Sequence, residues 1–465
     1  MRLRALSLSL VLALPLGAQD YWSLERIAAE EAANARTPHP PHVPSGADYT
    51  PNDPLAGLGE EAHFLSTLQV KSGFLLGGMK EGEHNGSIVQ TDNTTESIWV
   101  WSRYRELTGD TQYDANLADA WTYVMNFPAY EEEGGSGASG YYRVYNCGWA
   151  LIAEPQYRAV TGDTSYLAYA QQCADYVVQN PLSLGFGAHL NAQITAWAAG
   201  ALYGFALEQG SASWRQAAAD LGNAARLYAE ANPSVLASES WAMSGGALVW
   251  GVLNSWFREN DGARTWAEVY GDQQKIIDTA GTWHNAHTGW YMLGAHAAWE
   301  ASARGHFHRD HGEASASLLQ QDGDDDGGIP TTIPAPDDED ETWVSNYIAF
   351  MGFERQMARV DVALASEQAQ VAAGGNWVLD LGVANHDALA PIQPLCVLEI
   401  ATGPSSGVPY LGPLGLHVPP GKLLVLKGYS VPIPAAVPPG QYSLRMLGAL
   451  PGAPFDVAER TLFVP

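Results

Sequence analysis

The densest group of residues that could hold a metal ion lies in the segment QDGDDDGGIP. Asp322, Asp324 and Asp326 alternate like positions 1, 3 and 5 of an EF-hand calcium loop, and Gly328 could offer the carbonyl of position 7. Nine acidic residues and no lysine or arginine lie between positions 322 and 341, and such a density of like charge favours a bound cation. The bidentate glutamate that usually closes the loop is missing. We predict a Ca²⁺ site at these four residues, and a solvated acidic loop is the alternative.

A second set of acids has the chemistry for hydrolysis of a glycosidic bond. Asp92 and Glu96, in the segment TDNTTE, are four residues apart, which places both carboxylates on one face of a helix. In a hydrolase one carboxylate acts as general acid and the other as base or nucleophile. Glu239, before a later helix, is a further candidate, and Asp92 would need a partner across the fold. Acids in a first helical turn are also ordinary capping residues.

The cysteines predict one disulfide. Cys147 and Cys173 lie 15 residues before and 11 residues after Gly162, the glycine of a predicted helical hairpin turn. This near symmetry places them at similar height on antiparallel helices, so we predict that they pair. Cys396 then remains unpaired.

Composition excludes several classes of protein. The 465 residues include 51 acidic and 23 basic side chains, for a net charge of −28. Such a charge repels nucleic acid, and no basic stripe is present to release counterions. Hydrophobic residues make up 46% of the chain, which is ample for a buried core and excludes a wholly disordered chain. No apolar run reaches the roughly 20 residues that span a bilayer.

The chain divides into four parts. Residues 1–18 combine two arginines, a short apolar run and Gly17-Ala18, which predicts a secretory signal peptide and export to the periplasm or the exterior. Residues 19–56 are rich in proline and predict an extended arm or linker. Residues 57–365 have a helical pattern. In residues 370–465, short apolar runs alternate with Pro-Gly turns, which predicts an antiparallel β-sandwich.

The helical part repeats with a period of about 50 residues. Its turn glycines, Gly109, Gly162, Gly210 and Gly262, are spaced 53, 48 and 52 residues apart. Two helices fit each unit, and the period is too long for tetratricopeptide repeats of about 34 residues. Six first helices with an outer layer predict a closed ring, whereas an open solenoid and a terpenoid-cyclase-type barrel are the alternatives. The long segment 304–340 replaces the second helix of the fifth unit.

In period, helix count and aromatic content, residues 57–365 resemble the (α/α)6 toroids, the six-hairpin superfamily of secreted polysaccharide lyases and glycoside hydrolases. The resemblance is architectural. It implies a site in a funnel at the N-terminal ends of the inner helices, where unsatisfied N–H groups converge. Aromatic and histidine side chains there would contact sugar rings. The candidates for substrate binding are Trp241, His284, His287, Trp290, Tyr291 and Trp343.

The resemblance also implies the residues of a β-elimination on a uronate, since toroidal lyases use His, Tyr, Asn and Arg. His189 or Tyr142 would be the base. Asn146, Asn191 and Arg143 would hold the substrate carboxylate. We therefore expect a secreted enzyme that cleaves an acidic polysaccharide, with elimination preferred to hydrolysis. The alternatives are the carboxylate hydrolase and a non-catalytic glycan-binding protein.

Overall fold

The structure, a computed structural model, describes residues 54–465 apart from several internal segments. These segments are 84–85, 87, 132–139, 238–244, 275–277, 280–281, 305, 308–326, 334–339, 354–359, 386–390, 402–407, 421 and 451–455. The predicted signal peptide and all but the end of the predicted arm lie outside the described residues. In the described part, no helix has both the length and the apolar character needed to cross a membrane.

Helices make up the first two thirds of the described chain. In chain order they are α1 (Pro54–Leu68), α2 (Thr91–Thr108), α3 (Asp114–Asn126), α4 (Tyr141–Thr161), α5 (Leu167–Gln179), α6 (His189–Glu208), α7 (Ala212–Ala231), α8 (Gly245–Leu253), α9 (Trp256–Glu259), α10 (Ala263–Tyr270), α11 (Asn285–Ser302) and α12 (Thr342–Phe353). Two small antiparallel sheets lie between them. One is formed by β1 (Met79–Lys80) and β2 (Val89–Gln90), and the other by β3 (Asp278–Thr279), β4 (Thr282–His284) and β5 (Thr332–Ile333).

Six of these helices form a closed inner ring. Helix α2 packs on α4, α4 on α6, α6 on α8, α8 on α11, α11 on α12, and α12 returns to α2. The helices α1, α3, α5, α7 and α10 pack outside this ring. The closed (α/α)6 toroid is therefore confirmed, and the open solenoid is excluded because its last helix would not contact its first.

The glycines that punctuate the repeat end helices as predicted. Gly109 and Gly162 follow α2 and α4 with φ of +72° and +74°, the left-handed conformation that glycine adopts at no steric cost. The N–H of Gly109 donates to the carbonyl of Arg105, and that of Gly162 to Arg158. Gly210 and Gly262 also have positive φ. The period of the sequence is thus the period of the hairpins.

The C-terminal part is an antiparallel sandwich of seven strands in the described residues. The strands are β6 (Val360–Ala365), β7 (Asn376–Asn385), β8 (Leu395–Ile400), β9 (Val408–Gly415), β10 (Leu423–Pro432), β11 (Gly440–Ala449) and β12 (Asp456–Val464). One sheet has the order β10-β7-β6 and the other β12-β11-β8-β9. Trp377, Leu379, Leu444 and Leu462 fill the space between them. The predicted sandwich is confirmed, but it begins at Val360, inside the range predicted as helical.

The sandwich packs on the flank of the ring. Strand β6 contacts α11, and Trp299 of α11 joins Ala363, Ala365 and Ala384 of the sandwich in one apolar cluster. A Cβ added to Gly382 would lie 2.8 Å from the Trp299 ring. A β-sheet of the sandwich therefore packs directly on the inner helix α11.

The two cysteines predicted to pair are neighbours. Cys147 and Cys173 are fully buried, and their side chains are within hydrogen-bonding contact. Both are free thiols in this structure, as is the buried Cys396. The disulfide is therefore absent here, although the contact that it requires is present, and its formation on export stays a prediction.

Candidate active site

The first turns of α2 carry an unusual run of buried polar residues. All six side chains from Thr91 to Glu96 are at most 1% exposed. Polar groups are buried in proteins when neighbours satisfy them or when function requires them. Here Thr94 and Thr95 donate to helix carbonyls, while the Asp92 carboxylate accepts the main-chain N–H of Asn93 at 2.8 Å. The two acids are left to face the neighbouring inner helices.

Asp92 meets a tyrosine of the next inner helix. The hydroxyl of Tyr142, in the first turn of α4, donates to Oδ2 of Asp92 at 2.6 Å. Tyr142 is 3% exposed, so this hydrogen bond is shielded from bulk water. A hydrogen bond to an ionised carboxylate is strong in such surroundings. The pair joins a residue of the predicted hydrolase to a residue of the predicted lyase.

Glu96 lies one helical turn deeper and accepts hydrogen bonds from two side chains. Tyr145 of α4 donates to Oε1 of Glu96 at 3.1 Å, and Asn346 of α12 donates to Oε2 at 3.4 Å. The hydroxyls of Tyr145 and Tyr347 are in direct short contact. Three of the six ring helices thus supply one buried hydrogen-bonded network around a single carboxyl group.

The network favours the neutral forms of Glu96, Tyr145 and Tyr347. Burial, and then the negative charge of Asp92, raise the pKa of Glu96 well above its usual value, although hydrogen bonds from Tyr145 and Asn346 oppose this rise. Burial likewise raises the pKa of Tyr145 and of Tyr347 well above that of a free tyrosine. A buried carboxyl that keeps its proton is suited to act as a general acid.

Two amides in this region are candidates to bind a ligand. The side chains of Asn93 on α2 and Asn146 on α4 are fully buried, and within the described part of the chain neither amide has a hydrogen-bonding partner. Such groups in folded proteins are generally satisfied by water or by a ligand.

Aromatic side chains fill the centre of the toroid below Asp92 and Glu96. Trp149, Trp197 and Phe350 pack together, with centroid distances of 4.8 Å between the two indoles and 4.9 Å between Trp149 and Phe350. Trp290 of α11 stands edge-on to Trp197 at 5.1 Å. The toroid therefore has a filled centre, with a polar layer at its N-terminal end.

The structure separates the five residues proposed for elimination. Tyr142 and Asn146 lie on the inner face of α4, at the acid pair. In contrast, His189 is half-exposed and hydrogen-bonds with Tyr228 of the outer helix α7 at 3.1 Å. Asn191 donates to the carbonyl of Ser183, and Arg143 to that of Glu131. In the described residues, Asn146 is therefore the predicted carboxylate-binding residue that lies with a predicted base, Tyr142, whereas Arg143 and Asn191 hydrogen-bond to other groups.

The predicted sugar-binding residues also fall in different places. Trp290 and Trp343 are at most 2% exposed and pack on Tyr347, so they belong to the core. His287 is fully buried on α11, and Tyr291 is half-buried. His284 ends strand β4. Trp241 and Glu239 lie outside the described residues.

The calcium prediction remains untested. Asp322, Asp324 and Asp326 lie outside the described residues. Gly328 is described and buried, and a Cβ there would lie 2.5 Å from Oδ2 of Asp340. Among the residues that the structure describes, no group of three His, Cys, Asp or Glu side chains is arranged to hold a metal.

Sequence reasoning missed Tyr145, Asn346 and Tyr347. Tyr145 follows Tyr142 by three residues, so helical spacing placed it on the same face as a candidate. Asn346 and Tyr347 are 250 residues from Glu96 along the chain, and only closure of the ring brings them to it.

Replacing Glu96 by glutamine should make stability less dependent on pH. Folded wild type keeps the Glu96 proton above the usual carboxyl pKa of 4.5, so between this value and the raised pKa it binds more protons than the unfolded chain. Its free energy of unfolding therefore falls as pH rises through this window. Glutamine mimics the protonated acid and does not titrate. The free energy of unfolding of Glu96→Gln should therefore rise relative to that of wild type as pH increases. Denaturant unfolding of both proteins at several pH values measures this difference, and a difference independent of pH would contradict a buried, protonated Glu96.

Comparisons with known proteins find similar folds only. No protein-family model matches the sequence, and no curated protein matches it either. Among solved structures, the GH76A alpha-1,6-mannanase from Salegentibacter sp. HEL1_6 is 10% identical with a TM-score of 0.46, over 64% of this chain and 98% of that chain. A sugar epimerase from a ruminal bacterium is 12% identical with a TM-score of 0.44, over 65% and 99%. A GH127 beta-L-arabinofuranosidase from Geobacillus stearothermophilus T6 is 9% identical with a TM-score of 0.34, over 95% and 94%. The ring of six inner helices gives this chain its (α/α)6-toroid architecture.

Proposed function

We propose that this protein is a glycoside hydrolase in which Glu96 is the general acid and Asp92 the base or nucleophile. The observation that carries the proposal is the buried network in which two carboxyl groups, one turn apart on α2, are held by tyrosines of α4. Hydrolysis requires one carboxyl that is protonated and one that is ionised. The raised pKa of Glu96 supports the first role, and the Tyr142 hydroxyl stabilises negative charge on Asp92.

The steps follow from these two states. Glu96 gives its proton to the glycosidic oxygen as the bond to the anomeric carbon breaks. Asp92 either takes a proton from the water that attacks the anomeric carbon, or attacks that carbon itself to form a covalent glycosyl-enzyme. In the second case water, which gives its proton to the now ionised Glu96, hydrolyses the bond to Asp92 and releases the sugar. The buried amides of Asn93 and Asn146 would donate to sugar hydroxyls beside the acids. Burial makes each of these interactions stronger than it would be in water.

The same geometry favours a neutral glycan over the uronate expected from sequence. A uronate carboxylate beside Asp92 would meet like charge in a site of low dielectric constant. Of the three residues predicted to hold it, Arg143 and Asn191 donate to the main-chain carbonyls of Glu131 and Ser183, and Asn146, which lies beside the acids, carries no charge. Export by a signal peptide, which fits action on an extracellular glycan, stays part of the proposal.

The test is incubation of the full-length protein with a panel of neutral and uronate polysaccharides, with and without Ca²⁺. New reducing ends and the ultraviolet absorbance of unsaturated uronates are followed together. We expect reducing ends from a neutral glycan without new absorbance. A rise in both signals would replace hydrolysis by elimination. If neither signal appears, the proposal fails and the alternative of a non-catalytic glycan-binding protein is favoured.

A further inference from the structure

A second candidate binding site lies at the other end of the ring, against the sandwich. A cleft of about 350 Å³ is lined there by the C-terminal halves of α4 and α6, the end of α8 and strand β12. The acid pair occupies the N-terminal end of α2, so the two sites do not share residues. The volume is in the range of small-molecule sites, about 300–1,000 Å³, and domain interfaces are a common place for them.

One wall of the cleft is an indole held by glycine. Trp250 is half-buried and lines the cleft. Its ring packs so closely on Gly200 that a Cβ at that position would lie 2.5 Å away, and its other neighbour, Trp197, has a ring centroid at 5.1 Å. The indole is thus fixed before any ligand binds, which lowers the entropy cost of binding.

One exposed side of the cleft is open because of a second glycine. Gly204 lies one turn beyond Gly200 on α6 and lines the cleft, and a Cβ added to it would have no atom within 4 Å. A larger side chain at Gly204 would therefore enter the cleft without disturbing the packing of the ring.

The rim carries hydrogen-bonding groups of both charges, with one arginine, Arg258, and two glutamates, Glu208 and Glu459. Arg258 donates to Oδ1 of Asn254 at 2.6 Å and to the carbonyl of Glu459 on β12 at 3.0 Å. Glu208, also on the rim, pairs with Arg158 at 2.5 Å. Both signs of charge are present and partly compensate each other, so the rim suits an uncharged ligand rich in hydroxyl groups better than an anion.

We propose that this cleft is a non-catalytic binding site for a neutral oligosaccharide. An indole beside hydrogen-bonding side chains matches a sugar ring, whose C–H face stacks on the aromatic surface while its hydroxyls bond to the rim. The choice of a neutral sugar as ligand rests on the proposed function. The residues of the cleft are not those of the proposed active site.

The test is calorimetric titration of the full-length protein with neutral oligosaccharides, with the matching uronate oligosaccharides as probes of charge. Gly204→Leu should weaken binding at this site at least tenfold, since the leucine side chain takes up space in the cleft that Gly204 lines. Ala118→Leu is the matched control, because it adds the same side chain to an exposed position of the outer helix α3. Circular dichroism and thermal unfolding check that both variants fold.

Two readouts separate this inference from the proposed hydrolysis. Cleavage of a short soluble substrate should be unchanged in Gly204→Leu, whereas oligosaccharide binding at the cleft should be at least tenfold weaker. If wild type binds oligosaccharides at the cleft but cleaves no glycan, the inference stands and the hydrolase proposal fails. Absence of binding at millimolar oligosaccharide would overturn it. So would equal affinity of Gly204→Leu and wild type, or a preference for the uronate ligands.

Discussion

Asp92→Asn is expected to lower kcat on a neutral glycan by about 10³-fold, the scale on which a positioned acid or base contributes. Asparagine has the same shape as aspartate and can still accept the hydrogen bond from Tyr142. It lacks the negative charge that a nucleophile or base requires. The fold should therefore persist while the chemistry is lost, as measured by initial rates of reducing-end release at saturating substrate.

Asp220→Asn is the matched control, because Asp220 is exposed on the outer helix α7, where its carboxylate accepts a hydrogen bond from Gln216 of the same helix. It should retain full activity. The double variant Asp92→Asn with Glu96→Gln should be little worse than either single variant, since residues that act as one unit are not additive. Full activity of Asp92→Asn would remove the acid pair from the mechanism.

Gly246→Ala is expected to cost at least about 3 kcal/mol of stability, the upper range for overpacking in a core. Gly246 lies in α8, and a Cβ there would lie 1.7 Å from the main-chain carbonyl oxygen of Trp290 in α11. Because the obstacle is main chain, two ring helices must move apart. Gly251, on the same helix, contacts the carbonyl of Ala196 in α6 in the same way, at 2.0 Å. Denaturant unfolding measures the loss.

Gly204→Ala makes the same chemical change where there is space, and it should raise stability by up to about 1 kcal/mol, since alanine favours the helix. The two substitutions are expected to change stability in opposite directions. Their comparison therefore separates the effect of close contact between helices from the effect of helix propensity. If both variants gain stability, the close approach of α8 to its two neighbours is not what closes the ring.

Local features of the fold were readable from the chain alone. The spacing of Gly109 and Gly162 predicted hairpins because a left-handed turn glycine depends only on its own backbone. Prolines in turns and short apolar runs predicted the sandwich, because these signals likewise depend only on residues close together in the sequence. Its first strand, β6, falls in the range predicted as helical, since Val360–Ala365 is apolar apart from Asp361 and buried on both faces, a pattern that periodicity does not distinguish from a buried helix.

The candidate site was only partly readable. The i, i+4 spacing of Asp92 and Glu96 put both acids on one helical face, and this relation holds in the structure. His189 satisfied the same kind of reasoning from residue type and helix position. The structure nevertheless pairs it with Tyr228, 39 residues away on an outer helix, because the rotation of α6 about its axis is set by packing and not by sequence spacing.

By itself, the sequence determined the number of hairpins, their turns, the acid pair on α2 and the all-β character of the C-terminal part, since each depends on residues within a few turns of one another. Only the tertiary structure decided which side chains meet. Glu96 and Asn346 come together across 250 residues because α12 closes on α2, and the second cleft exists because a β-strand covers the end of the ring. Long-range contacts of this kind follow from the summed packing of all six helices, which no local pattern encodes.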